Sequence, residues 1–214
     1  MKQAIARKTA EALLQINAIK LNAARPFTWA SGLRAPIYCD NRQVLSHPDV
    51  RQMVSEQLAC LIQDKFSDAS VVAGVATGAI AHGVLVAAKL EKPFVYVRSA
   101  PKGHGLSNRI EGRLQEGDKV VVVEDLVSTG KSSLEAVKAI RDSGGVVLGM
   151  VSIFSYELPV AVEAFREADC PLHCLCGYSS LLNAAMELNR INASDNENLQ
   201  EWKKDPLAWS MKHQ

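Results

Sequence analysis

No window of this sequence holds the uninterrupted apolar run that a membrane-spanning helix needs, and no repeat or low-complexity tract is present. A dominant charge is missing too. The 24 basic and 23 acidic side chains leave a formal net charge of +1, which argues against a general nucleic-acid surface. The five cysteines are odd in number and lack framework spacing, as expected for a reducing compartment. Cys170, Cys174 and Cys176, with His173 among them, have no second pair downstream, so no zinc site is expected and LHCLC reads as a short buried strand. The N-terminal MKQAIARKTAEALLQINAIKL alternates charge with apolar residues at helical spacing and lacks a signal-peptide core. A cytoplasmic protein with no membrane or nucleic-acid partner is the expectation.

What is present is an alternation of strand and helix. Apolar runs at Val71 to Ala76, Pro93 to Arg98, Lys119 to Glu124, Val146 to Phe154 and Leu172 to Cys176 alternate with helical patterns near His82 to Leu90, Ser132 to Asp142 and Val160 to Ala168. This predicts an α/β fold, an open, mostly parallel sheet with helices on both faces, in a chain of 214 residues that suits one domain. Gly144-Gly145 marks the end of the second helix. Residues 1–45 read as an N-terminal helix and hood, 70–186 as the core, and 187–214, with Trp202 and Trp209, as a helical appendage.

The most informative stretch is VVVVEDLVSTGKSS, Val120 to Ser133. Four β-branched residues run into two carboxylates and then a small-residue turn, so a buried strand ends in an acidic pair and a phosphate-sized loop opens a helix. Ligands of open parallel sheets bind where strands end, which places Glu124 and Asp125 to hold sugar hydroxyls and Ser128-Thr129-Gly130-Lys131-Ser132 to wrap an anion. A phosphorylated sugar is implied. Gly130-Lys131-Ser132 copies the end of a Walker A loop, but that motif needs a glycine where this chain has Asp125. The plainer alternative is that the two acids cap the following helix or face solvent. The turn Ala76-Thr77-Gly78-Ala79 offers a second set of backbone donors, or simply joins strand to helix.

The segment from Val120 resembles the phosphoribosyl-pyrophosphate (PRPP) signature of the type I phosphoribosyltransferases. The resemblance implies that Glu124 and Asp125 hold the ribose hydroxyls, that Leu126 and Val127 are the variable pair, that Ser128 to Ser132 cradle the phosphate, and that Thr77 and Gly78 belong to the pyrophosphate loop. Two other stretches narrow the family. FVYVRSAPKGHGLSNRIEG, Phe94 to Gly112, reads as a strand and a long polar lid. FTWASGLRAPIYCDNR, Phe27 to Arg42, precedes it. Together they resemble orotate phosphoribosyltransferases: the lid through Arg98, Lys102, His104 and Gly105, the hood through Phe27, Thr28, Ser31, Gly32, Pro36 and Tyr38. The chain departs from the better-known branch at Ala30, Ser99 and Gly78, where lysines are usual, and around Tyr156, where an arginine usually grips the orotate carboxylate. Arg42 is the candidate replacement, with Ser128 as a second contact to orotate.

The resemblance implies transfer of phosphoribosyl from PRPP to orotate, with Lys102, His104 and Asp125 as catalytic residues and Arg98, with Lys102 and His104, binding PRPP. It also implies magnesium carried by PRPP, with no metal site in the protein, and a homodimer whose lid is shared across subunits. A PRPP-sensing regulator and a purine phosphoribosyltransferase are the alternatives; the first lacks an added nucleic-acid-binding segment here, and the second is disfavoured by hood and lid.

Overall fold

The computed structural model describes residues 2–29, 31–99 and 109–213. The chain opens with α1 (Lys2–Gln15), then β1 (Ile19–Leu21), β2 (Phe27–Thr28), β3 (Arg34–Ala35) and β4 (Ile37–Cys39). β1 pairs antiparallel with β4, and β2 with β3, so the hood is two short ribbons. A 3-10 turn (Asn41–Ser46) leads into α2 (Pro48–Lys65), an 18-residue helix that starts on Pro48, carries Asp49 in its first turn and Lys65 in its last. Those are the positions at which each residue type favours a helix.

The core continues as β5 (Val71–Val75), α3 (Ala79–Leu90), β6 (Phe94–Val97), β7 (Ile110–Glu111), β8 (Lys119–Val127), α4 (Lys131–Asp142), β9 (Val146–Ser155), α5 (Pro159–Glu167) and β10 (Leu172–Gly177). One six-stranded sheet runs in the order β10-β9-β8-β5-β6-β7, parallel throughout except for β7. The expected strands are therefore present to within a few residues at their ends. β8 is central, between β5 and β9, and Val120 to Val123 are fully buried. A strand covered on both faces has no solvent side, which is why this run does not alternate.

The chain leaves β5 toward β6 on one side and leaves β8 toward β9 on the other. Right-handed crossovers then put α3 on one face and α4 on the other. They also open a crevice between the carboxyl ends of β5 and β8, the topological switch point at which open sheets take ligands.

The C-terminal segment forms α6 (Tyr178–Glu187), α7 (Ala193–Lys204) and α8 (Pro206–Lys212). α7 starts at a capping box made by Asn192 and Asp195, and α8 at Asp205, which accepts from the Ala208 N–H. The last two helices pack back on the hood: Trp202 and Trp209 are buried, and Ser210 Oγ accepts from the Arg34 N–H at 2.9 Å. Among the described residues, no helix is long and apolar enough to cross a membrane.

Candidate active site

β8 delivers its two acids to different environments. Glu124 is 4% exposed, and both its oxygens are engaged: Oε1 accepts from the Asp125 N–H at 3.0 Å and Oε2 from Ser133 Oγ at 2.9 Å. Burial, and then the neighbouring Asp125, push its pKa well above the usual carboxylate range. Asp125 is half-buried and its carboxylate is seated against Gly78, where a Cβ on that glycine would collide with it. Its backbone carbonyl accepts from Asn41 Nδ2 at 2.6 Å, which ties the hood to the strand end.

The two turns beside these acids have the shapes an anion site needs. After β8 the chain turns through Gly130, whose φ of +81° is left-handed and where a Cβ would lie 2.8 Å from the Phe165 ring, so both conformation and space require glycine. α4 begins at Lys131, and its first N–H groups have no partner inside the helix. After β5, Thr77 and Gly78 lead into α3, and the Ala76–Thr77 peptide is cis. A cleft of about 370 Å³ lies between the turns, lined by Arg42, Thr77, Gly78, Glu124, Asp125, Leu126 and Ser132 among others.

A second hollow of about 170 Å³ adjoins it, walled by Trp29, Tyr38, Cys39, Leu126, Ser128 and Tyr156. Cys39 and Leu126 line both spaces, so a sugar in the cleft has a flat aromatic slot at its side. The slot walls belong to an aromatic cluster: Trp29 lies 5.3 Å from Tyr156 and 5.7 Å from Trp202, ring centre to ring centre, and Tyr156 lies 5.5 Å from Trp202. The Trp29 indole N–H donates to the Ile37 carbonyl at 3.0 Å, which fixes the plane of that wall.

The lid's two ends are joined as a hairpin. β6 pairs with β7, the Arg98 N–H donates to the Arg109 carbonyl at 2.8 Å, and Arg109 Nε returns a bond to the Arg98 carbonyl at 3.0 Å. Arg98 reaches Glu111 at 3.5 Å and is half-buried at this stem. Lys102 and His104, the cations expected on the lid, lie outside the described residues, as does Ala30.

The model of the phosphoribosyl transferase domain matches residues 40–157 of this chain, from the end of the hood to the aromatic wall of the slot. An orotate phosphoribosyltransferase of Phocaeicola vulgatus is 54% identical over 200 residues, 94% of this chain and 94% of that protein. The chain belongs to the orotate phosphoribosyltransferase family. Among solved structures, the orotate phosphoribosyltransferase of Aeropyrum pernix has a TM-score of 0.74 at 26% identity, covering 86% of this chain and 99% of that one. The Mycobacterium tuberculosis orotate phosphoribosyltransferase crystallised with PRPP has a TM-score of 0.63 at 27% identity, covering 83% and 98%.

As a member of that family, the chain brings most of the expected residues to one crevice. Thr77, Gly78, Glu124, Asp125, Leu126 and Ser132 line the cleft, and Ser128 lines the slot. Val127 is buried in the strand, Thr129 and Gly130 lie in the turn, and Lys131 opens α4. Arg42 lines the cleft and not the slot, with its Nε 2.8 Å from Asp40 Oδ1 and its side chain 62% exposed. Arg42, the residue expected on orotate, is thus found on the wall of the cleft that also holds Glu124 and Asp125. Sequence reasoning missed Trp29, Asn41 and His82. His82 is 1% exposed, and neither ring nitrogen has a partner among the described residues. Burial holds its pKa below the ordinary value, against the opposing pull of Asp125 and of the Asn41 backbone. A histidine in the apolar face of a helix gives no local signal of this.

Two expected results test the local geometry. Gly78 has φ −61° and ψ −38°, so alanine suits the backbone, yet the added methyl occupies the seat of the Asp125 carboxylate. Gly78→Ala should leave the melting temperature near that of the parent and raise the Michaelis constant for the sugar substrate by about ten-fold, the loss of one good hydrogen bond to a charged group. Unchanged kinetics would show that the carboxylate position is unimportant. Glu124 sets a pH dependence. Its folded pKa is raised, so it is neutral in both states below the ordinary value of 4.5, and folding is opposed increasingly above it as only the unfolded chain ionises. Relative to Glu124→Gln, the parent should lose about 1.4 kcal/mol of stability per pH unit above that value until the folded group ionises too. Denaturant titrations at a series of pH values check this, and parallel curves for the two proteins would contradict it.

Proposed function

We propose that this enzyme transfers the phosphoribosyl group of PRPP to a ring nitrogen of orotate, giving orotidine 5'-monophosphate and pyrophosphate. The observation that carries the reading is the contact of two spaces: an acidic cleft flanked by two anion-binding turns, and an aromatic slot that shares Cys39 and Leu126 with it. Asp125 and Glu124 accept from the ribose hydroxyls, the turn from Ser128 to Ser132 holds the 5-phosphate, and the turn at Thr77 and Gly78 faces the diphosphate. Trp29 and Tyr38 bracket the base.

As pyrophosphate leaves, positive charge develops at the anomeric carbon and negative charge on the leaving group. The carboxylate of Asp125 lies on the sugar side of that separation, and Arg98, Lys102 and His104 would act on the diphosphate side. Orotate is already anionic, so no side-chain base is required. Magnesium in this reading arrives on the diphosphate and neutralises its charge. The active unit is a homodimer in which the lid of one subunit closes over PRPP held by the other. The five cysteines are free, which suits work in the cytoplasm.

Mixing the protein with PRPP, magnesium and orotate should consume the ultraviolet absorbance of orotate, and adenine or hypoxanthine in its place should not react. Turnover of a purine without turnover of orotate would overturn the reading.

A further inference from the structure

α3 buries one stripe of residues, Ala79, His82, Gly83, Val86 and Ala87, spaced as one face of a helix. Of these His82 alone carries polar side-chain atoms. It is 1% exposed, and no hydrogen bond reaches either ring nitrogen among the described residues. A buried imidazole without a partner costs stability that an apolar side chain of similar size would not. Its surroundings give it a use. Gly78 has helical φ and ψ, so His82 lies one turn further along the same side of α3, and Gly78 is the seat of the Asp125 carboxylate. Asn41, also 1% exposed, donates Nδ2 to the Asp125 carbonyl at 2.6 Å. Burial favours the neutral imidazole, while the Asp125 carboxylate and the Asn41 backbone pull toward its charged form. α3, the turn after β4 and the end of β8 thus bring His82, Asn41 and Asp125 into one polar cluster. His82 itself does not line the cleft.

We propose that His82 is a positioning residue for the ribose site: its N–H donates to the Asp125 carboxylate from inside the protein and holds that group in the orientation that accepts from the sugar hydroxyls. The inference rests on the reaction proposed above. A neutral imidazole has one N–H to give, and hydrogen bonds of this kind tighten as a substrate seats, so the bond forms with ribose in the cleft. Asn41 fixes the backbone of residue 125, Gly78 leaves room for its carboxylate, and His82 sets the direction in which that carboxylate faces. The same bond gives the buried imidazole its partner.

Binding of PRPP with magnesium, measured by calorimetry, tests the role. His82→Leu removes the donor, and His82→Phe does so while keeping a flat ring. Each should melt no lower than the parent, bind PRPP about ten-fold more weakly, and keep a Michaelis constant for orotate within about two-fold of the parent's. His82→Gln, which retains an N–H donor, should recover most of the affinity. In an Asp125→Ala background His82→Leu should change PRPP binding by less than about two-fold, because the group it acts through is already gone. Parent-like PRPP binding in the two apolar variants, a loss that glutamine does not recover, or equal losses with and without the Asp125 carboxylate would overturn the role. So would failure of both apolar variants to fold beside a folded His82→Gln, which would make the imidazole a structural group. A parent protein that does not bind PRPP would instead overturn the reaction itself, before any variant is compared.

Discussion

Asp125→Asn combined with Glu124→Gln should give a folded protein whose kcat/KM is lower by about 10²- to 10⁴-fold, the loss expected for two charge-assisted hydrogen bonds at about 1.5–3 kcal/mol each. The fold should survive because the supporting bonds do not need the charges. A glutamine at 124 can accept from the Asp125 N–H through its oxygen and donate to Ser133 Oγ, whose hydroxyl turns to suit. Asn41 is bound to the backbone carbonyl of residue 125, which the substitution leaves in place. What is lost is negative charge at the ribose. The single changes should be unequal, with Asp125→Asn the more damaging, because Glu124 already spends one lone pair of each oxygen inside the protein. Steady-state rates on a variant whose near-ultraviolet circular dichroism matches the parent decide the matter. A folded double variant with near-parent activity would remove both acids from the site.

The sugar half of the site was legible in the sequence because it is local. Strand, acids, turn and helix follow one another within Val120 to Ser133, so the pattern of apolar, acidic and small residues alone specifies the arrangement, and the structure adds that of the two acids lining the cleft Glu124 is buried and Asp125 half-buried. The base half was not legible in the same way. Its walls come from Trp29, Tyr38, Leu126 and Tyr156, and the support from Trp202, separated by long stretches of chain and joined only by packing. Nothing in the local pattern around Trp202 distinguishes it from any buried residue of an amphipathic helix. Arg42 shows the converse. Its position next to the hood motif suggested orotate, while the fold puts it on the wall of the cleft, with its Nε 2.8 Å from Asp40 Oδ1. β7 was missed because two residues carry no usable periodicity, although that short strand is what closes the lid hairpin at Arg98 and Arg109.

That hairpin bears on the largest recovery of activity expected here. Between residues 99 and 109 the chain is polar, carries Lys102 and His104, and has few apolar side chains with which to pack on its own subunit. If it closes over the partner's PRPP, each site of a dimer takes its lid from one chain and its acids from the other. Lys102→Ala and Asp125→Asn proteins, each nearly inactive alone, should then regain activity when mixed. After random exchange about half the dimers are mixed, and by symmetry each holds one site with neither lesion and one with both, so activity should approach about a quarter of the parent's. Differently tagged chains analysed by native mass spectrometry establish whether exchange has occurred. A lid acting on its own subunit leaves one lesion in every site of a mixed dimer, so mixed dimers that form without regaining activity would refute the shared site while leaving the assignment of Asp125 intact.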